Sequence, residues 1–434
     1  MSNQSRNSKE SVTRRKFILG LAGLGISAAT SSALIAANGG VLNSDVLDRV
    51  SEGRLRPELS PGTTLGIDNP PFDYVLDPVD FADRILVIVE LRGGNDAPSM
   101  LVPYTQGAYY DQRPNMSIDA STVIPIDDTL GLSPELQALS QRNYAVVEGV
   151  GNTLDSFSHF RQQDEWHGAG NPRAGYVAQL GEELIEKYGS EGIVTLSVNG
   201  FSPQLVGASA ATLSMQSPRL LETFTSREPL HQAFYQGLSQ FQGGALASGL
   251  IDSGSTLIDV GSRLPASLEA DSDSPMITEG KGLGRQLDAA ATLIEANSGV
   301  KVIHAKLDGF DTHNGHIFEH PKLMRQLDFA VDGFLQRMQD AGMADRVVVA
   351  LTSEFGRRAK ENGNGFDHGN GSTLMVFGPV RSGRYGVPLD FANTDEKDNF
   401  KTEIPFQEYL RTLALDWLGV ESVLPNTPTI EGLI

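Results

Sequence analysis

Residues 307–320 read LDGFDTHNGHIFEH and place three of the chain's eight histidines, His313, His316 and His320, directly behind Asp311. A carboxylate with imidazoles this close supplies ligand types for one or two divalent ions such as zinc, manganese, magnesium or calcium. The pairing returns in GFDHGNG, with Asp367 and His368, and single acids stand at GGND (Asp96) and TSEFG (Glu354). A nucleophile could stand beside them. Ser158 of SFSHFRQQDEW reads as the first residue of a helix, where free backbone N–H groups and the positive dipole end favour an anion. It reads equally well as an ordinary N-cap, and both readings stand at this level. Arg161, one turn further on, could meet a bound phosphate or sulfate.

These residues need a frame to bring them together. The runs RILVIVEL (84–91), YAVVEGV (144–150), VKVIHAKL (300–307) and DRVVVALTS (345–353) are continuously aliphatic, as strands buried on both faces of a parallel sheet are, and TLMVFG (373–378) makes a fifth. Helical patterns separate them: Ser133-Pro134-Glu135 opens a short helix, residues 175–189 are amphipathic, and Ile317, Met324, Leu327, Phe334 and Met338 follow three-to-four spacing through 317–341. The alternation predicts an α/β fold with a mostly parallel central sheet flanked by helices. Ligands bind such sheets outside the carboxyl ends of the strands. Those ends deliver Asp96, Ser158, Asp311 with His313 and His316, and Glu354, while His368 precedes the fifth strand. His320 is in phase with Ile317 and Met324 and reads as a packed residue. His304 inside its strand, His167 and His231 carry no such signal.

Composition narrows the function. The net charge is −20 over 434 residues, and residues 1–37 carry five basic side chains and one acid, so the remainder stands at −24. So acidic a chain argues against nucleic-acid and anionic-membrane partners. With no cysteine, thiolate metal sites, disulfides and cysteine nucleophiles are excluded. Arg14-Arg15-Lys16-Phe17-Ile18-Leu19 and the charge-free run to Ala37 resemble a twin-arginine export signal. The expected partner is then the twin-arginine export machinery and the expected location periplasmic or secreted. Phe17–Ala37 is long enough to span a bilayer, so a membrane enters only if the signal stays uncleaved. The expected organisation is a signal over 1–37, an extended arm over 38–82, and an α/β domain over 83–434 with a Ser/Asp/Gly-rich insertion near 247–282.

Taken in order, LRGGNDAPSMLVPY, SHFRQQDEW, LDGFDTHNGH, TSEFGRR and NGFDHGNGS behind a twin-arginine signal resemble an exported bacterial family, the domain of unknown function 1501. The resemblance covers about residues 84–380. That family looks like a distant relative of the alkaline phosphatase and sulfatase superfamily. The resemblance implies an alkaline-phosphatase-like domain hydrolysing a small anionic ester or polymer. It also implies metal ligands at Asp96, Asp311, His313 or His316, Glu354 and His368, with Ser158 as nucleophile. Two departures stand out. The phosphatases space Asp and His four apart, where this chain has Gly315, and they follow the next acid with His, where Phe355 follows Glu354. The C/S-x-P-x-R setting of common sulfatases is missing around Ser158. A non-catalytic periplasmic or surface binding protein of the same fold is therefore the alternative.

Overall fold

The computed structural model describes residues 81–434 apart from 152–155, 190–191, 208–211, 216–236, 238–254, 257 and 265–272. The expected export signal, nearly all of the arm and about half of the 247–282 insertion lie outside the described residues.

The aliphatic runs do form strands. In chain order the main sheet contains β1 (Ile85–Arg92), β2 (Tyr144–Gly151), β3 (Thr195–Ser197), β4 (Thr212–Ser214), β5 (Val302–Asp308) and β6 (Val347–Thr352). A hairpin of β7 (Gly356–Glu361) and β8 (Phe366–Gly369) follows, and the sheet is completed by β9 (Ser372–Phe377), β10 (Gly383–Gly386) and β11 (Ile404–Pro405). The spatial order is β10-β2-β9-β6-β1-β5-β3-β4, with β11 beside β2. Every pairing is parallel except those of β9, which runs antiparallel to β2 and β6. That reversal matters for the site. An antiparallel strand starts at the edge where its parallel neighbours end, so His368, just before β9, arrives at the same edge as the corners after β1, β2, β5 and β6.

Helices cover both faces. The side chains of β1 alternate: Ile85, Val87, Val89 and Leu91 join one core with α3 (Lys281–Glu295) and α4 (His316–Asp340), while Leu86 and Ile88 join the other. The second core includes α1 (His159–Gly168), α2 (Tyr176–Tyr188) and α5 (Phe406–Thr412). Each fully buried aliphatic side chain contributes roughly 1.5–3 kcal/mol. A continuous apolar run is thus required of a strand packed on two sides. The expected helix at Ser133 is instead a series of turns ending in a 3-10 segment, Leu139–Gln141, because Asp328 of α4 accepts the backbone N–H groups of Ala138 and Leu139.

Candidate metal centre

Three imidazoles and one carboxylate meet at the carboxyl edge. Asp311 Oδ1 lies 3.2 Å from His368 Nε2, 3.3 Å from His313 Nε2 and 3.5 Å from His159 Nε2, and the Nε2 atoms of His313 and His368 are 2.9 Å apart. Ligand atoms of His159, Asp311 and His368 all fall within 4.8 Å of one another, the one such group among the described residues. His313 flanks it.

The outer nitrogens decide what the inner ones are. His368 Nδ1 is 2.8 Å from the Phe157 carbonyl, His159 Nδ1 is 2.9 Å from Glu354 Oε1, and His313 Nδ1 is 3.2 Å from Asp367 Oδ1. Each faces an oxygen that can only accept, so each Nδ1 carries the proton and donates. In the neutral rings Nε2 is then a lone pair, and three lone pairs converge on a carboxylate oxygen. Burial, aided by the Arg357 charge, lowers the His368 pKa and favours its neutral form. Lone pairs at roughly the 3.3 Å edge of a tetrahedron of zinc ligands fit a cation between them. His159 Nε2 is buried without a hydrogen-bond partner, which is what a metal ligand looks like in a protein-only structure. An oxygen acceptor behind each imidazole is the usual outer support of a metal-bound histidine.

Local sequence explains the convergence. Gly93, at φ 119°, passes so close to the β5 corner that a Cβ there would lie 2.4 Å from the Asp311 nitrogen. Its N–H donates to Glu354 Oε1 at 2.9 Å, and Gln163 Nε2 donates to the same oxygen at 3.1 Å. Arg357, fully buried, pins three corners: it donates to the carbonyls of Gly94, Phe366 and Phe310 and, at 2.8 Å, to Asp311 Oδ1. Burial alone would raise the Asp311 carboxyl, but the hydrogen bond and the charge of Arg357 pull against it, and the pKa is held down at about 2. Phe355 stacks against both His159 and His368. The Phe that follows Glu354 is thus a wall of the site.

The residues singled out in the sequence divide between places. Asp311, His313 and His368 come together. Glu354 reaches the cluster through His159, not through its own oxygens. Ser158 is the exposed N-cap of α1, adjacent to His159, and its side chain makes no capping hydrogen bond; Arg161 is exposed on the same helix. Asp96 and His316 lie apart, in the buried layer beneath. Arg113 donates to both Asp96 oxygens at 2.6 and 2.9 Å, Ser99 bridges Asp96 and His316, and His316 Nδ1 meets Thr312 Oγ1 at 2.8 Å. Gly315, αL at φ 67°, is where the loop turns into α4 and swings His316 inward. His320, expected to be packed, is buried against Asn95 Oδ1 at 2.9 Å.

Two sets are not among the site residues chosen from the sequence. His159 is delivered by the same strand corner as Ser158, where the sequence reading assigns the role to the serine. His167 and His304 bracket Glu90 of β1, at 3.1 and 3.0 Å, and burial of Glu90 is outweighed by their hydrogen bonds so that its pKa is lowered. A small cavity with room for about one water separates this buried triad from Glu354 and Gln163.

Two expectations follow from these contacts. Glu354→Gln weakens the N–H···O bond that fixes the His159 ring, and supports of this kind cost 10–100-fold in metal affinity when lost; that is roughly the drop a competition titration against a chelator should record. Burial, with Arg113 and Arg357 opposing the pull of Asp96, holds His316 down to about 4, so the folded protein keeps it neutral where an unfolded chain takes up a proton. Stability is then complete above pH ~6.5 and declines as pH falls toward ~4, by about 3 kcal/mol for this group. Urea midpoints measured with chelator present should fall over that window, and His316→Gln should flatten the fall; parallel profiles would contradict the assignment.

The chain is a mostly parallel α/β sheet with, at its carboxyl edge, a His/Asp cluster that could hold a metal ion. This chain belongs to the family described as protein of unknown function (DUF1501), which matches residues 156–417. The match begins beyond GGND and extends past the last quoted motif. No curated protein matches the sequence. The solved structures to which it is similar include alkaline phosphatases and sulfatases. An alkaline phosphatase from the Antarctic bacterium TAB5 is 8% identical, with 78% of this chain and 98% of that one covered and a TM-score of 0.32. The sulfatase PsFucS1 from Pseudoalteromonas sp. is 10% identical, covering 80% and 70%, at 0.38. The lipoteichoic acid synthase LtaP from Listeria monocytogenes is 9% identical, covering 79% and 74%, at 0.33. Likeness at this level adds nothing to what the strand order and the cluster establish by themselves.

Proposed function

We propose that this chain is an exported metal-dependent hydrolase of phosphate or related esters. The observation that carries the reading is the convergence of three imidazole lone pairs on Asp311, each ring fixed from behind by an oxygen acceptor. His159, Asp311 and His368, with His313 beside them, would hold a divalent ion. Such an ion supplies positive charge to a phosphoryl oxygen and favours the ionised form of a nearby hydroxyl. Ser158 is the proposed attacking group: exposed, uncommitted as a cap, and next in sequence to a ligand. The free N–H groups at the start of α1 favour negative charge developing there. Arg161, exposed in the first turn of the same helix, would offset the charge of an anionic ester. The export part of the proposal rests on the resemblance of residues 14–37 to a twin-arginine signal; no helix among the described residues is long and apolar enough to cross a membrane.

Ser158→Ala should reduce turnover of aryl phosphates by at least about a hundredfold while bound metal is unchanged. Undiminished turnover would remove Ser158 as nucleophile. One observation favours the binding-protein alternative: Asp96, the acid after the first strand, is fully engaged by Arg113 and cannot serve a second ion. Bound metal together with turnover of no ester in a broad panel would support that reading.

A further inference from the structure

The apolar side chains around the cluster are distributed unevenly. Phe160, Phe318 and Ile317 are 80%, 65% and 48% exposed, three of the four most exposed large apolar side chains among the described residues. Phe160 follows His159 and Ser158 in the first turn of α1, and Ile317 and Phe318 occupy the first turn of α4. Ile317 is four residues from His313, no more than about 14 Å of chain. The Gly315 N–H donates to Asn364 Oδ1 at 3.1 Å and the His316 N–H to the Asn364 carbonyl at 3.2 Å, which ties the start of α4 to the turn of the β7–β8 hairpin, whose second strand carries His368. Large exposed apolar groups beside a site usually mark a binding surface.

We infer that Phe160, Ile317 and Phe318 form an apolar subsite for the hydrocarbon portion of an amphiphilic anionic ester whose head group meets the metal centre. The inference rests on the proposed hydrolase reading for the head group and adds the substrate class. Two other occupants fit less well. The three side chains expose roughly 400 Å², about half of what each partner contributes to a stable protein interface. The chain's net charge of −20 opposes docking on an anionic bilayer, whereas a single amphiphile brings its own anion to the cation site.

The test compares methylphosphonate with octylphosphonate, neither of which can be hydrolysed, by calorimetry on the metal-loaded protein. Octylphosphonate should bind tighter by on the order of tenfold or more, from partial burial of its chain. The Phe160→Ala/Phe318→Ala double variant should bring the two affinities within about twofold of each other, with metal content and circular dichroism as in the wild type. Equal affinities in the wild type, failure of both to bind, or a ratio that survives in the double variant would each overturn the subsite. So would self-association in sedimentation that the double variant abolishes, which would assign the patch to a second copy. Failure of the parent reading looks different. A protein that prefers octylphosphonate yet hydrolyses neither methyl nor octyl phosphate keeps the subsite and loses the hydrolase, and one that hydrolyses both equally without that preference does the reverse.

Discussion

His368→Ala should release the bound ion and abolish turnover while leaving the fold intact. His368 contributes its Nε2 to the cluster and anchors its Nδ1 on the Phe157 carbonyl, so its loss removes a ligand and frees the corner before α1. Replacing only the group behind a ligand costs 10–100-fold in metal affinity, so removing the ligand itself should cost more than about a hundredfold. Its side chain is partly exposed at the rim of the sheet, and the stability cost should stay near 1 kcal/mol. Chelator competition and thermal melts in the metal-free state separate the two effects. A variant that holds metal as tightly as the wild type would rule His368 out as a ligand.

Arg113→Met should act in the opposite way, costing stability and sparing metal binding. Arg113 and Asp96 are both fully buried, and the guanidinium also donates to the carbonyls of Arg358 and Ala359 and lies 4.0 Å from the centre of the Phe366 ring. Removing one partner leaves an uncompensated carboxylate, a change that typically costs 3–5 kcal/mol, or roughly 4–7 °C in melting temperature for a domain of this size. Asp96→Asn in the same chain should restore most of the loss, because the unpaired charge then disappears. If Asp96→Asn alone left stability unchanged and cut metal affinity instead, Asp96 would belong with the ligands, as the phosphatase pattern implies.

The buried strands were legible because two-sided burial demands unbroken aliphatic sequence, and β1, β2, β5, β6 and β9 fall where RILVIVEL and its counterparts predict. The direction of β9 was not legible, since TLMVFG reads the same in either orientation; the β7–β8 hairpin reverses the chain. Asp311, His313 and His368 were singled out by type and by their place at strand corners, and these three side chains do lie together. His316 and Asp96 share those marks, yet their surroundings differ for reasons that local spacing does not contain. Gly315 turns His316 inward, and the partner of Asp96 is Arg113, 17 residues on in an irregular stretch. His159 was obscured by Ser158 beside it. The outer acceptors, the Phe157 carbonyl, Glu354 and Asp367, come from three separate corners, and only the assembled edge shows that each imidazole presents Nε2 inward.

The central assignment is a cation held by His159, Asp311 and His368, and elemental analysis of the protein purified without added metal tests it most directly. One divalent ion per chain, removable by chelator and lost in both His159→Ala and His368→Ala, is the expected result. Metal-free protein that takes up no zinc, manganese, magnesium or calcium on titration, with imidazole resonances unmoved, would contradict it.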